Sequence, residues 1–128
     1  MRKERVAVRS AGTKGLGVFA TSPFDAGEVI EIAPVIVEAE EKIDDGAMLD
    51  AYVYVWTEGT CAVALGYGSI FNHSYDPNAL FTTDIAQRTI TFTARRPIAE
   101  GEEITINYNG DPTCRDPMDF DDADAPAR

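Results

Sequence analysis

The sequence predicts a single domain of the mainly β class. Between residues 5 and 110, apolar residues either alternate with polar ones or form short runs, and Gly and Pro bound these segments. This pattern is typical of many short strands. The length of 128 residues fits one domain of ordinary size, and the contents of 45% hydrophobic and 26% charged residues are ordinary globular values.

The first four predicted strands cover the N-terminal half of the chain. Residues 5–10 and 17–21 flank a glycine turn, which predicts a hairpin. Residues 29–37 form a long apolar run with one internal acid and one proline. Residues 52–57 place an aromatic side chain at every second position, and this period of two favours a strand.

The last four predicted strands are short apolar or β-branched segments, each close to Gly, Asn, Asp or Pro. They cover residues 60–65, 79–84, 89–94 and 103–108. The stretch 38–51 has some helical spacing, but Asp44-Asp45-Gly46 interrupts it. We therefore expect at most a short helix or a variable loop there.

Two turns share the pattern P-x-x-x-G-E-x-I, at residues 23–30 and 97–104. Proline fixes φ at the beginning of each turn, and glycine can take the positive φ that reverses the chain. Each copy precedes a long apolar strand. We therefore predict two similar turns that pack together in one fold, since two copies are too few for a solenoid repeat.

The charge balance limits the kinds of partner. Lys and Arg number 11 against 22 Asp and Glu, a formal net charge of −11. A direct nucleic-acid ligand is therefore not expected, whereas a basic protein partner is. No apolar run approaches the roughly 18 residues that span a bilayer, and the N-terminus lacks a secretory signal, so we expect no membrane span. A cytoplasmic location, or a nuclear one in a eukaryote, is the expectation.

Cysteine content and the C-terminal composition give two further expectations. Cys61 and Cys114 cannot form a disulfide framework and lack zinc-ligand spacing, so we expect free thiols and no metal site. Residues 113–128 are acidic and contain few large apolar side chains. They predict a mostly flexible tail after a domain over residues 1–112.

Three stretches carry the candidate functional residues. Residues 14–17, Lys-Gly-Leu-Gly, place bare backbone between two strands, where a ligand can approach closely; a plain glycine turn is the alternative. Residues 66–79 concentrate small polar groups around His73, for which a structural, hydrogen-bonded role is the alternative. Residues 101–110 form a strand that ends in Tyr108, where a rigid sheet can hold a reactive side chain.

Taken in this order, the three stretches resemble the SET-domain protein lysine methyltransferases. The resemblance depends on the glycine turn, on N-H-S-x-x-P-N at residues 72–78 and on G-E-E-I-x-x-x-Y at residues 101–108. It covers residues 5–110 and implies a SET-domain β-clip fold of small curled sheets. In this fold the C-terminal segment threads through the loop that contains N-H-S and forms a pseudoknot.

The resemblance also implies S-adenosylmethionine as the cofactor. Asn72 would contact its methionine end through the side chain, and His73 would contact the adenine chiefly through backbone groups. Tyr108 corresponds to the catalytic tyrosine and would also touch the cofactor; its ordinary pKa near 10 suits orientation and electrostatics better than proton abstraction. The backbone groups expected at the methionine end belong to Lys14, Gly15, Leu16 and Gly17.

A narrow channel would admit the substrate lysine from the opposite face. Tyr52, Tyr54 and Trp56 share one face of a predicted strand, so this strand either borders the channel or forms an aromatic core face. The candidate channel residues are Tyr52, Tyr54, Ser69, Phe71, Phe81 and Ile106. Many relatives have Phe or Tyr at the position of Ile106 and Asp at the position of Asn107. These differences leave the number of transferred methyl groups open.

The sequence thus predicts a lysine methyltransferase for a basic protein, a histone or histone-like protein, because the negative chain attracts cationic peptides. A non-catalytic peptide-binding module of the same fold, or a methyltransferase for a ribosomal or other non-histone protein, is the alternative. The zinc-binding, cysteine-rich segment of many relatives is absent, and Met118 or Phe120 is the candidate to cover the adenine. The oligomeric state is left open between monomer and homodimer.

Overall fold

The protein is described by a computed structural model over residues 5–44 and 52–117. Nine strands are the main regular elements of the described chain, which confirms the mainly β prediction. In chain order they are β1 (Val6–Ser10), β2 (Leu16–Ala20), β3 (Val29–Ala39), β4 (Val53–Val55), β5 (Thr60–Ala64), β6 (Asn72–His73), β7 (Ala79–Asp84), β8 (Thr89–Ala94) and β9 (Glu103–Ile106). Two 3₁₀ turns, Gly12–Lys14 and Glu40–Lys42, connect strands.

The strands form two sheets. One has the order β1-β2-β9-β6 and the other has the order β4-β5-β3-β8-β7. The described pairings are antiparallel except that of β6 with β9, which is parallel and matches Asn72 with Thr105 and His73 with Ile106. The Ser74 amide extends this pairing by donating to the Ile106 carbonyl at 2.9 Å. The N-H-S segment therefore lies directly against the C-terminal strand, as the predicted pseudoknot requires.

The hydrophobic core follows the two-residue period of the strands. Along β8, Ile90, Phe92 and Ala94 are buried, whereas the three threonines between them are partly exposed. The Phe92 ring lies 4.5 Å from that of Phe71, which precedes β6. This contact joins the larger sheet to the loop that carries the N-H-S segment.

The two P-x-x-x-G-E-x-I turns pack against each other, as predicted. Phe24 and Ile98 exchange both backbone hydrogen bonds at 2.9 Å, and both side chains are buried. The glycines of the two turns have nearly the same positive φ, 89° at Gly27 and 86° at Gly101. The two copies of the sequence thus form two similar turns, and the antiparallel Phe24–Ile98 bridge joins these turns.

The glutamate of each turn closes its own turn. The Asp25 amide donates to Glu28 at 2.8 Å, and the Ala99 amide donates to Glu102 at 3.0 Å. The second oxygen of Glu28 accepts from the Arg5 guanidinium at 2.6 Å. These donors, the Arg5 guanidinium above all, hold the pKa of Glu28 below its usual value of 4.5.

Strand boundaries differ from the sequence prediction where a turn ends the pairing. The predicted strand 52–57 is limited to Val53–Val55, because the Thr57 amide bonds the Thr60 side chain at 2.9 Å and closes the hairpin. The strand predicted over 103–108 ends at Ile106. Within 38–51 the structure has the Glu40–Lys42 turn, and residues 45–51 lie outside the described residues.

The described ranges contain no helix that is long and apolar enough to cross a membrane. Over the same ranges, no group of three His, Cys, Asp or Glu side chains could hold a metal ion. Cys61 is buried and Cys114 is partly buried, and both remain thiols. Met118 and Phe120, the candidates to cover the adenine, lie outside the described residues.

Candidate active site

A cavity of about 470 Å³ lies between β4, the segment before β6, β7 and the turn after β9. Five of the six candidate channel residues line it together with Tyr108. These residues are Tyr52, Tyr54, Ser69, Phe71 and Phe81. The sixth, Ile106, is fully buried and does not line the cavity, because Ile104 and Ile106 form the core-facing side of β9.

Tyr108 is held at both ends by residues of the N-H-S region. Its hydroxyl donates to the Phe71 carbonyl at 2.6 Å, and its backbone amide donates to Nδ1 of His73 at 3.0 Å. Nδ1 of His73 must therefore be unprotonated. The sequence prediction gave His73 a role chiefly through its backbone, and the structure adds a bond from the Tyr108 amide to its side chain.

Aromatic side chains with anchored hydroxyls form the cavity wall. The Tyr54 hydroxyl donates to the Gly68 carbonyl at 2.7 Å, and the Tyr54 ring meets Phe81 edge-on at 5.2 Å. The Ser69 hydroxyl donates to the Ala64 carbonyl at 2.7 Å. Such a wall suits a lysine side chain, which needs apolar surface for its methylenes and favours aromatic faces or carbonyl oxygens near its nitrogen.

The glycine turn lies on another part of the molecule and contacts Asn72. The Asn72 amide nitrogen donates to the Leu16 carbonyl at 2.9 Å and to the Glu103 carboxylate at 2.7 Å. Lys14 forms an ion pair with the same carboxylate. A Cβ at Gly17 would lie 2.5 Å from a Glu103 oxygen and 2.9 Å from the Asn72 nitrogen. A side chain at position 17 would therefore displace the Glu103 carboxylate and the Asn72 amide from their present positions.

Glu103 is a site residue that the sequence reasoning missed. It connects Lys14 with Asn72, which is only 5% exposed, and so fixes the orientation of the Asn72 amide. The available signal was the alternation of β9, in which Glu103 and Thr105 share the face opposite to the buried Ile104 and Ile106. A half-buried acid on that face, in the strand next to the one that follows the glycine turn, could have been proposed as a site residue.

Asn78, the last residue of N-H-S-x-x-P-N, has a structural role. Its side chain is 2% exposed and donates to Glu102 and to the Glu103 carbonyl, both at 2.8 Å. Its oxygen accepts from the Thr105 amide at 2.9 Å. A single amide thus fastens this loop to β9 and satisfies otherwise unpaired polar groups.

The candidate residues fall into two groups, both next to the β6–β9 pair. One group surrounds the glycine turn and the other lines the cavity, while Tyr108 and His73 lie at the junction. The glycine-turn group consists of Lys14, Gly15, Leu16, Gly17 and Asn72.

Beyond Tyr108, the Thr113 amide and hydroxyl both donate to Asp111 at 2.8 Å and hold the pKa of Asp111 below its usual value of 3.8.

With the geometry established, comparison with known proteins identifies the family. The family model described as SET domain matches residues 15–109. The chain belongs to the SET-domain family of protein lysine methyltransferases, as its motifs predicted.

The relatives differ greatly in length. The Schizosaccharomyces pombe protein named histone-lysine N-methyltransferase, H3 lysine-37 specific, is 38% identical over 104 residues, which cover 79% of this chain and 71% of that protein. Human histone-lysine N-methyltransferase 2B is 32% identical, over 83% of this chain and 4% of its own length. Arabidopsis thaliana histone-lysine N-methyltransferase ATX2 is also 32% identical, over 83% of this chain and 11% of its own length.

A solved structure supports the same architecture. The crystal structure of a Plasmodium falciparum candidate histone methyltransferase matches with a TM-score of 0.70 and 28% identity. The match covers 84% of this chain and 95% of that chain. The predicted SET-type fold is thereby confirmed.

Proposed function

We propose that this chain transfers methyl groups from S-adenosylmethionine to lysine side chains of a histone or histone-like protein. The observation that carries the proposal is the Tyr108 hydroxyl, bonded to the Phe71 carbonyl at 2.6 Å in the wall of an aromatic cavity. Both residues line the cavity that a lysine side chain would fill. The family membership makes methyl transfer the reaction that this arrangement serves.

The residues around the glycine turn fit S-adenosylmethionine. Both hydrogens of the Asn72 amide are donated to protein acceptors, which fixes the amide group. Its side-chain oxygen is the atom that would accept from the ammonium group at the methionine end of the cofactor. Backbone groups of residues 14–17 lie beside it, and Gly17 leaves no side chain in the way. When bound, the cofactor supplies a methyl group activated by a positively charged sulfur. Lys14, Gly15, Leu16 and Gly17, with Asn72 and His73, are the residues that would hold it.

The chain's own residues then have three tasks. Tyr54 and Phe81 hold the lysine methylenes and exclude water, because their rings form the cavity wall. The oxygens of Tyr108 and Phe71 stabilise the partial positive charge that develops around the transferred methyl group. The rigid attachment of Tyr108 aligns the reactants, an effect that can lower a bimolecular barrier by about 7–11 kcal/mol.

The proposed substrate class is supported by charge and by the relatives. The formal net charge of −11 attracts a lysine-rich, cationic chain. All three curated relatives described above are named histone-lysine N-methyltransferases. A histone tail combines the positive charge and the exposed lysines that such a protein would select.

The proposal is tested with Y108F, which removes one hydroxyl from the cavity wall. We expect Y108F to lower methyl transfer to histones by about 100-fold or more, because it deletes a preorganised transition-state contact. Cofactor affinity, measured by calorimetry, should stay within a few-fold. Y75F is the matched control, since Tyr75 contacts His73 but does not line the cavity. A wild type that binds no cofactor, or a Y108F variant with full transfer activity, would contradict the proposal.

A further inference from the structure

Two asparagines tie residues 112–116, here called the C-terminal strap, to the turn that carries Tyr108. The Asn107 amide nitrogen donates to the Cys114 carbonyl at 2.7 Å and to the Pro112 carbonyl at 3.4 Å. The Asn109 amide nitrogen donates to the Asp116 carbonyl at 3.0 Å. The strap is therefore held by side chains that flank Tyr108 on both sides.

Asn107 also closes the turn around Tyr108. Its side-chain oxygen accepts from the Asn109 amide at 3.0 Å, and its backbone carbonyl accepts from the Gly110 amide at 2.9 Å. Asn109 and Gly110 line the cavity together with Tyr108. One side chain thus sets the turn that shapes this part of the cavity and, through its nitrogen, holds the strap.

The amide of Asn107 can do this and a carboxylate cannot. Asn107 is 2% exposed, and its nitrogen faces two carbonyl oxygens. An ionised aspartate would accept from Asn109 but would present an oxygen to the carbonyls of Pro112 and Cys114. It has no hydrogen to donate, so the strap would lose its inner attachment.

We propose that Asn107 is a positioning residue for Tyr108 and for the lysine-binding cavity, and that it acts by fastening the C-terminal strap. The inference rests on the proposed function and adds to it a part of the chain beyond the matched SET-domain region, which ends at residue 109. The strap braces the Asn109–Gly110 side of the cavity from outside. Releasing it lets the Tyr108 turn move away from Phe71 and His73.

The test variant is N107D, which keeps the size of the side chain and its acceptor but removes both donations. Strap release is measured in the free protein by thiol labelling with dithiodipyridine, with the sites located by peptide mass spectrometry. We expect labelling of Cys114 to accelerate about tenfold or more, since the loss of hydrogen bonds from a buried amide changes local equilibria by that order. Buried Cys61 is the internal control and should react at its wild-type rate.

The same variant is assayed for methyl transfer to a histone H3 peptide. We expect kcat/KM to fall about tenfold or more, the same order as the strap release, while the Kd of the cofactor stays within twofold. N109D is the comparison variant for the labelling assay, and not for methyl transfer because Asn109 lines the cavity. It removes the attachment to Asp116 and keeps both donations of Asn107, so it should accelerate Cys114 labelling less than N107D does.

Mild acid provides a readout that simple destabilisation would not produce. Below its pKa, the new carboxyl group of N107D regains a hydrogen and can donate again, and burial near carbonyl oxygens raises that pKa above the usual value of about 3.9. The ratio of N107D to wild-type labelling at Cys114 should therefore fall towards one as the pH is lowered from 8 towards that pKa.

Three results for N107D would overturn the inference. They are labelling of Cys114 at the wild-type rate, equal acceleration of labelling at Cys61 and Cys114, and faster labelling of Cys114 with unchanged kcat/KM. Failure of the proposed function is distinguishable, because labelling needs neither cofactor nor substrate. If the wild type transfers no methyl groups, binding of a fluorescent H3 peptide replaces kcat/KM. Equal peptide affinity of wild type and N107D would then overturn the inference.

Discussion

At the scale of single residues, the position of Tyr108 depends on two contacts. One is made by its side-chain hydroxyl and the other by its backbone amide. Its hydroxyl and its amide are bound by Phe71 and His73, which lie two positions apart. Displacement of either partner therefore moves the hydroxyl relative to the cavity. The sequence identified Tyr108 from its motif, but the His73 side-chain contact requires the fold, because 35 residues separate the two.

The contribution of His73 can be isolated with H73N and H73L. The side-chain oxygen of H73N can take the place of Nδ1 and keep the bond to the Tyr108 amide, whereas H73L has no acceptor. We expect H73L to lower kcat about tenfold or more, the cost of a buried amide left unpaired, and H73N to stay within a few-fold. Cofactor affinity by calorimetry is the control. Equal loss in both variants would show that the hydrogen bond is not what matters.

Gly17 allows a second test at the residue scale. A methyl group at this position would overlap the Glu103 carboxylate and the Asn72 amide. We expect G17A to weaken cofactor binding at least about tenfold and to lower the free energy of unfolding by about 1–3 kcal/mol, the usual cost of overpacking. The two effects are measured by calorimetry and by urea denaturation.

The control for G17A is L16A in the same strand, because the Leu16 side chain is 58% exposed. The contact of Leu16 with Asn72 is made by its backbone carbonyl, which this substitution keeps. Tight cofactor binding by G17A would show that the close approach at this turn does not serve the ligand.

At the scale of elements, local pattern predicted some strands better than others. The bounds of β7 and β8 agree with the prediction, because both lie between clear turn residues and carry β-branched and aromatic side chains. The two-residue β6 has no local signal, since its pairing with β9 is set by a contact distant in sequence. β9 ends before the end predicted for it, because the Asn107 side chain starts a turn. The alternation of apolar and polar residues does not reveal this turn.

The first P-x-x-x-G-E-x-I turn gives a prediction about pH. The pKa of Glu28 is lowered in the folded protein by Arg5 and by the Asp25 amide, so its carboxylate stabilises the fold at neutral pH. This stabilisation is complete above the unfolded-state pKa, near 4.5, and is lost as the pH falls through the lower folded-state pKa. We expect E28Q to have a lower Tm than the wild type at pH 7, and the difference to shrink towards pH 3.

The measurement for E28Q is a series of thermal melts between pH 7 and pH 3. E58Q is the control, because Glu58 is an exposed acid in the turn of the β4–β5 hairpin. It should follow the wild type throughout. A Tm difference between wild type and E28Q that stays constant across this range would mean that the Arg5–Glu28 pair makes no pH-dependent contribution to stability.

At the scale of the whole molecule, two candidate regions meet at the parallel β6–β9 pair. One contains the glycine turn, Asn72 and Glu103, and the other is the aromatic cavity, which Tyr108 lines. The sequence motifs predicted both regions, since most of the site residues belong to them. They did not predict Glu103 and Asn107 as connecting residues, because each acts through contacts with segments brought close only by the fold.

The overall charge links this arrangement to a substrate. A chain with 22 acids and 11 bases, one domain and an aromatic cavity suits a lysine-rich peptide better than a nucleic acid. The opening of the cavity, rather than the glycine turn, is where such a peptide would present its lysine. We therefore infer that the protein transfers methyl groups to a cationic protein.

That claim is tested most directly by mass spectrometry of histones and of a panel of other basic proteins after incubation with this protein and S-adenosylmethionine. We expect methyl additions on lysines of a histone by the wild type, and at most trace addition with Y108F. The opposite result is equally clear. If the wild type binds the cofactor and yet leaves every lysine in the panel unmodified, the proposed function is contradicted.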